Sequence, residues 1–362
     1  MFVGCYRHLL TAISPLMVSA ALLVSHPSFA DQKLPNVTIL ATGGTIAGTG
    51  STSTTTVGYT AAKVGVEALI EAVPELKNVA NVKGEQVFQI ASENMNNDYW
   101  LTLAKRVNTL LAQDDVDGIV ITHGTDTIEE TAYFLDLVVK SKKPVVIVGA
   151  MRPSTAISAD GPINLYNAVI LAGSPEAVGK GVLVCLNDEI NAGREVTKTN
   201  TATLNTFRTP ELGLLGYMQD NRPHFYRQST RRNTADTEFD IMGLDSLPRV
   251  DIVYGYANMD PTALNAFVAA GAKGIIHAGV GDGSLASAVK PSLIEARKKG
   301  IVIVRSSRVG NGIVARNGEA NDDELDFVVS DTLNPQKARI LLMLALTRTT
   351  DTKTIQTMFY NY

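Results

Sequence analysis

The stretch Val37-Thr38-Ile39-Leu40-Ala41-Thr42-Gly43-Gly44-Thr45-Ile46-Ala47-Gly48 runs a short apolar segment straight into a turn of glycine and hydroxyl residues. Adjacent glycines let the backbone bend sharply and leave amide N–H groups uncovered. Thr42 and Thr45 set hydroxyls at a strand's carboxyl end, where open α/β sheets hold their ligands. The arrangement recurs at Gly118-Ile119-Val120-Ile121-Thr122, which feeds His123-Gly124-Thr125-Asp126-Thr127, now with a carboxylate in the turn. Two threonine-bearing turns on one sheet edge point to a reaction centre.

Working outward, β-branched runs at 37–41, 86–90, 118–122, 145–148 and 181–186 alternate with helical stripes. Val66, Leu69, Ile70 and Val73 keep the i, i+3, i+4, i+7 spacing, as do Trp100, Leu103, Ala104 and Val107, and Ile128, Thr131, Ala132 and Leu135. A second block begins near Arg249, with strands at 250–254, 274–278 and 301–305 and helices at 262–270 and 287–299. Its last helix opens at Asn334-Pro335, an N-cap followed by Pro at the first helical position. The fold class expected is α/β: a larger N-terminal domain (31–226) with a mostly parallel sheet, a polar connection (227–248), and a smaller Rossmann-like C-terminal domain (249–362).

Residues 1–30 read as a secretory leader rather than as fold. Arg7 is their only charged side chain, apolar stretches follow, and Ser28-Phe29-Ala30 gives the small-x-small pattern for cleavage after Ala30, so a periplasmic protein is expected. Ser14, Pro15, Ser25, His26 and Pro27 interrupt the run of about 20 apolar residues that a membrane anchor needs. With Arg7 gone, the balance of 32 Lys plus Arg against 36 Asp plus Glu becomes slightly more acidic. That offers no footprint for nucleic acid or an anionic membrane, and small solutes are the expected partners. Cys5 leaves with the leader and Cys185 stays alone in an apolar strand, which excludes an internal disulfide and suits inert packing.

Parallel strands bring their following loops together: Thr42 to Gly48, Ser92-Glu93-Asn94, Gly124-Thr125-Asp126, Gly149-Ala150-Met151-Arg152, and Asn187-Asp188-Glu189 with Arg194 to Asn200. These loops hold hydroxyls, carboxylates and Lys198 but no His or Cys pair at ligand spacing, which argues against a metal and against a His-based triad. No cofactor is expected. His277 reads as a hydrogen-bonded core residue, and His123 as a residue that orders the Gly124 turn. The nucleophile is then a threonine, which needs a base, a partner to orient it, and amide donors for the oxyanion. Thr125, Asp126 and Lys198 supply the first two and the glycine turns the third. For Lys198 two readings stand: a base, or a structural salt bridge to Asp126.

Thr42-Gly43-Gly44-Thr45-Ile46-Ala47-Gly48 and His123-Gly124-Thr125-Asp126-Thr127 resemble the two signature motifs of the bacterial type II L-asparaginases. The similarity continues through Asn81 to Glu85, Gly149 to Ser154, Ser158 to Pro162, Val196 to Asn200 and Ser330 to Ala338. The resemblance implies hydrolysis of a side-chain amide to a carboxylate and ammonia by an exported homotetramer. It makes Thr45 the primary nucleophile and Tyr59, in the loop after it, the assisting tyrosine, with Thr125, Asp126 and Lys198 as the second catalytic set. Gly44, Ser92, Glu93, Thr125, Asp126 and Ala150 fall at substrate-binding positions; Ser284 does too, and Glu319 matches an acidic residue reaching in from a neighbouring subunit. Glu93 and Ser284 resemble the glutaminase-asparaginase branch, where a carboxylate would bond the α-ammonium and a smaller residue would admit the longer glutamine side chain.

The segment Thr49 to Tyr59 is small, polar and without core-facing period, and is expected to close over substrate as a lid. Two rival readings remain at this level. Gly279-Val280-Gly281-Asp282-Gly283-Ser284 is similar to a phosphate-cradling turn but lacks the last glycine of the dinucleotide fingerprint. A periplasmic solute-binding protein for acidic amino acids or their amides would share the leader, the two α/β blocks and the acidic balance.

Overall fold

The structure, a computed structural model, describes Met1 and residues 33–362; the leader and its cleavage point lie outside the described residues. The first block runs β1 (Asn36–Gly43), α1 (Val66–Glu71), β2 (Asn81–Ile90), α2 (Asn97–Leu111), β3 (Gly118–Thr122), α3 (Ile128–Val138), β4 (Val145–Val148), α4 (Gly161–Gly173) and β5 (Val182–Leu186). These five strands are parallel, in the spatial order β2-β1-β3-β4-β5. The order reverses between β1 and β3, and such a switch point opens a crevice at the carboxyl ends of the two strands. Both motif turns leave the sheet there. Every residue of β3, β4 and β5 is buried, which is why these strands read as almost unbroken Val, Ile and Leu. β2 lies at the sheet edge and starts at Asn81 rather than near Gln86, because exposed Lys83 and half-buried Glu85 break its apolar run.

Beyond β5 the sheet continues antiparallel. β6 (Glu189–Ala192) pairs with β5 across Asn187-Asp188, both at positive φ (53° and 61°), the conformation of a tight type I′ hairpin. Asn187-Asp188-Glu189 therefore close a hairpin and do not join the converging loops. A small ribbon of β7 (Thr197–Lys198) and β8 (Phe207–Arg208) follows, then β9 (Gly216–Gln219) and β10 (Arg222–Phe225), which complete an eight-stranded sheet.

The second block contains β11 (Val250–Tyr254), α5 (Thr262–Ala269), β12 (Gly274–Gly279), α6 (Lys290–Lys298), β13 (Val302–Ser307), α7 (Asp322–Leu325), β14 (Val328–Val329), α8 (Pro335–Ala345) and α9 (Thr352–Asn361), with a four-stranded parallel sheet in the order β11-β12-β13-β14. The chain thus has two α/β domains. Asn334 caps α8 by accepting the Lys337 amide at 3.1 Å. α8 packs on α3 as well as on β11 and β12, so one buried cluster runs from Ile121 and Leu135 through Leu341 to Ile276 and Val304. From α8 the buried Lys337 Nζ donates to the carbonyls of Gly193 (3.1 Å), Arg194 (2.8 Å) and Val196 (2.5 Å), fixing the backbone that leads into Lys198. Burial lowers its pKa to about 8. His277 is a core residue of β12, but neither ring nitrogen finds a hydrogen-bond partner among the described residues. Burial, with Arg305 opposite it on β13, lowers its pKa to about 4, and the ring is held neutral instead of being hydrogen-bonded.

Candidate active site

At the end of β1, Gly43 and Gly44 adopt φ of 109° and 80°, a region closed to most side chains. A Cβ on Gly44 would lie 2.3 Å from both the Cα and the N of Gly124, so the two motif turns touch backbone to backbone. That contact requires glycine and sets the distance between the two threonines. Thr42 points elsewhere: its hydroxyl donates to the Thr122 carbonyl (2.8 Å), tying β1 to β3 instead of meeting a substrate.

Two hydroxyl clusters face one cavity. The buried Thr45 Oγ1 is hydrogen-bonded to the Tyr59 hydroxyl at 2.7 Å. Lys198 Nζ donates to Thr125 Oγ1 (2.9 Å) and to Asp126 Oδ1 (2.7 Å); its side chain is 17% exposed against 59% for Asp126. Because Thr125 Oγ1 accepts from Lys198, its own proton is directed away from the lysine. Ser92, in a single turn after β2, accepts the Asp126 amide on Oγ (3.2 Å), while the Thr127 hydroxyl donates to the Ser92 carbonyl (2.8 Å). Beneath the turn, His123 Nδ1 donates to the Gly124 carbonyl (2.8 Å), and burial lowers its pKa to about 4, leaving it neutral.

The cavity measures about 710 Å³ and is lined by Gly44, Thr45, Tyr59, Ser92, Glu93, Thr125, Asp126 and Lys198, eight of the residues expected from sequence. Ala150 is fully buried behind the wall, and its neighbours Met151 and Arg152 line the cavity instead. Their amides bond the Asp160 carboxylate at 2.9 and 3.0 Å, which shapes that loop. Ser284 and Glu319 do not reach this cavity: Ser284 closes a turn by donating its amide to the Val280 carbonyl (2.8 Å), and Glu319 is exposed on the second block. Arg152, Thr201 and Ala202 of the lining, and Asp160 and Lys337 behind it, went unassigned in the sequence. Asp160 and Lys337 both fall within family-like stretches, Ser158 to Pro162 and Ser330 to Ala338, but neither stretch signals the contact its side chain makes.

Residues 56–60 line the cavity, and the segment 49–60 that carries them has its ends paired by reciprocal Thr49–Thr60 bonds (2.9 and 3.0 Å). The segment is docked on the loop after β4: the Ser154 amide and hydroxyl both donate to the Gly48 carbonyl (2.9 and 2.8 Å), Thr155 Oγ1 accepts the Gly50 amide (2.8 Å), and the Ile157 amide donates to Ser53 O (2.8 Å). The phosphate-cradle reading of Gly279 to Ser284 fails on contacts. The buried Arg305, paired with Asp322 at 2.6 and 2.7 Å, fills that turn by donating to the Asp282 and Gly283 carbonyls (3.1 and 3.2 Å), and no helix opens until Lys290.

Family models of the asparaginase N-terminal domain and the glutaminase/asparaginase C-terminal domain match residues 36–231 and 249–359. The chain belongs to the asparaginase family. It is 56% identical to L-asparaginase 2 of Bacillus subtilis (strain 168) over 362 residues, covering 100% of this chain and 96% of that protein. It is likewise 56% identical to the glutaminase-asparaginase of Pseudomonas fluorescens biotype A over 331 residues, 91% of each. Among solved structures, a probable cytoplasmic L-asparaginase from Campylobacter jejuni superposes with a TM-score of 0.88 at 49% identity, covering 91% of this chain and 100% of that one. This asparaginase-family hydrolase therefore carries its two threonine turns on a fold seen in a solved relative.

Proposed function

We propose that this hydrolase converts L-asparagine and L-glutamine to L-aspartate and L-glutamate plus ammonia through a threonine-linked acyl-enzyme. The observation that carries the reading is the pair of threonine hydroxyls in one cavity, each with its own hydrogen-bonding assistant: Tyr59 for Thr45, Lys198 with Asp126 for Thr125. Thr45 Oγ1 bonds the amide carbon as its proton passes to the hydrogen-bonded groups beside it. The C–N bond breaks, the nitrogen leaves as ammonia with that proton, and water then cleaves the ester and restores the Thr45 hydroxyl. Thr125, its oxygen engaged by Lys198, turns its own proton toward the reacting groups. Ser92 and the Glu93 and Asp126 carboxylates suit the α-carboxylate and α-ammonium of an amino acid.

The glutaminase component rests on Glu93 and Ser284, and the relatives' names divide between the two activities. Because Ser284 and Glu319 stand off the cavity of their own chain, we assign them to a neighbouring subunit's cavity within a homotetramer exported to the periplasm. Steady-state ammonia release from both amides is the test. A kcat/KM for glutamine about a hundredfold or more below that for asparagine removes the glutaminase component. No ammonia from either amide removes the enzyme reading and leaves solute binding.

A further inference from the structure

His123 is completely buried beneath the second motif turn, and the atoms around it allow one assignment of protons. Its Nδ1 faces the Gly124 carbonyl at 2.8 Å, and a carbonyl can only accept, so Nδ1 carries the hydrogen. In a neutral ring Nε2 then accepts, and it does so from the buried Thr131 hydroxyl at 2.9 Å. Thr131 Oγ1 in turn accepts from Trp100 Nε1 at 2.9 Å. An indole N–H is donor only, so a chain that starts at Trp100 has a fixed direction and ends on the Gly124 carbonyl.

The end of that chain matters because a trans peptide is planar, with C=O and N–H pointing opposite ways. With the Gly124 oxygen turned into the core toward His123, the Thr125 N–H faces away from the core. No acceptor among the described residues takes that amide. The same peptide is wedged from both sides: a Cβ on Gly124 would lie 2.4 Å from Ser92 Oγ, and one on Gly44 2.3 Å from Gly124 Cα.

We propose that His123, held as its Nδ1–H tautomer by Trp100 and Thr131, is a positioning residue that aims the Thr125 amide at the cavity as an oxyanion donor. The inference rests on the amide-hydrolysis reading and adds to it a group that never touches substrate. A side chain with only a packing role would be best replaced by the larger amide, whereas this assignment reverses the order. Asparagine places its N–H near the position of Nδ1; glutamine reaches the position of Nε2 and loses the donor to Gly124.

The test is kcat and KM for His123→Asn, His123→Gln, Thr131→Val and Thr131→Ser, with melting temperature and the fluorescence of Trp100, the single tryptophan, as checks on folding. His123→Asn and Thr131→Ser are expected within about threefold of the parent kcat, and His123→Gln and Thr131→Val about ten- to a hundredfold below it, all with KM little changed. Equal kcat for His123→Gln and His123→Asn, or a Thr131→Val kcat at the parent value, overturns the proposal; should the His123 variants fail to fold, the Thr131 pair decides. The tautomer is read separately from long-range 15N–1H spectra of histidine-labelled protein, where His123 must show protonated Nδ1. Protonated Nε2 overturns the proposal whatever the activity, while a parent protein that releases no ammonia sinks the parent reading instead.

Discussion

Replacing Lys198 with methionine keeps the length and apolar stem of the side chain and removes one ammonium. Two hydrogen bonds go with it, to Thr125 Oγ1 at 2.9 Å and to Asp126 Oδ1 at 2.7 Å. The cost in stability is small, because Asp126 is 59% exposed and water takes over its solvation; exposed or half-exposed pairs contribute about 0–1 kcal/mol. The catalytic cost is larger, since the buried Thr125 loses the donor that orients its hydroxyl. One preorganised donor of this kind is worth about 2.7–4 kcal/mol in the transition state, so kcat falls about 10²–10³-fold. Ammonia release gives kcat and KM, and thermal unfolding gives the stability change, expected to stay within about 2–4 °C. A kcat within about threefold of the parent refutes the reasoning and leaves Lys198 as a structural ion pair. A large drop in melting temperature alongside lost activity does the same.

Gly44→Ala forces a Cβ to within 2.3 Å of the Gly124 backbone at a φ of 80°, so it is expected to abolish turnover and to cost more than about 2 kcal/mol by denaturant unfolding; an active, equally stable variant contradicts the contact. Asp136 is buried and accepts the Val182 amide at 2.7 Å, and burial raises its pKa from 3.8 to about 7. The native state therefore holds this proton more tightly than the unfolded chain, and stability from this group is lost as pH rises between those values, at most about 4 kcal/mol. Asp136→Asn keeps the acceptor and removes that slope, so melting curves that stay parallel to the parent from about pH 4 to 8 refute it. For the lid, Thr155→Val removes the acceptor of the Gly50 amide and should speed chymotryptic cutting near Tyr59, with bound aspartate slowing it in the parent; cutting rates that ignore both changes argue against a docked lid.

The parts of this molecule that were legible in the sequence are those governed by local rules. Alternating β-branched runs and helical stripes marked β1, β3, β4, β5, β11, β12 and β13 closely; for β3, β4 and β5 the reason is burial on both faces, which demands apolar residues almost throughout. Asn334-Pro335 announced α8 by capping chemistry alone. The two glycine turns stood out because their backbone needs them, and the cavity gathers Thr45, Thr125, Asp126 and Lys198 from β1, β3 and β7. What stayed hidden depends on contacts between distant segments. β6, β9 and β10 are short and partly polar, so their pairing, not their pattern, defines them. Lys337 resembles an ordinary helix lysine until three carbonyls some 140 residues earlier in the chain are seen to converge on it. Thr42 was misassigned because a hydroxyl beside a site and one facing into it look alike in sequence.

The central claim is that Thr45 becomes esterified. Acid quenching during turnover of glutamine or asparagine, followed by proteolysis and peptide mass analysis, locates the acyl group. The account predicts the added acyl mass on the peptide carrying Thr45, absent in Thr45→Ala. An acyl group on Thr125, or turnover by Thr45→Ala at a rate near the parent's, contradicts it.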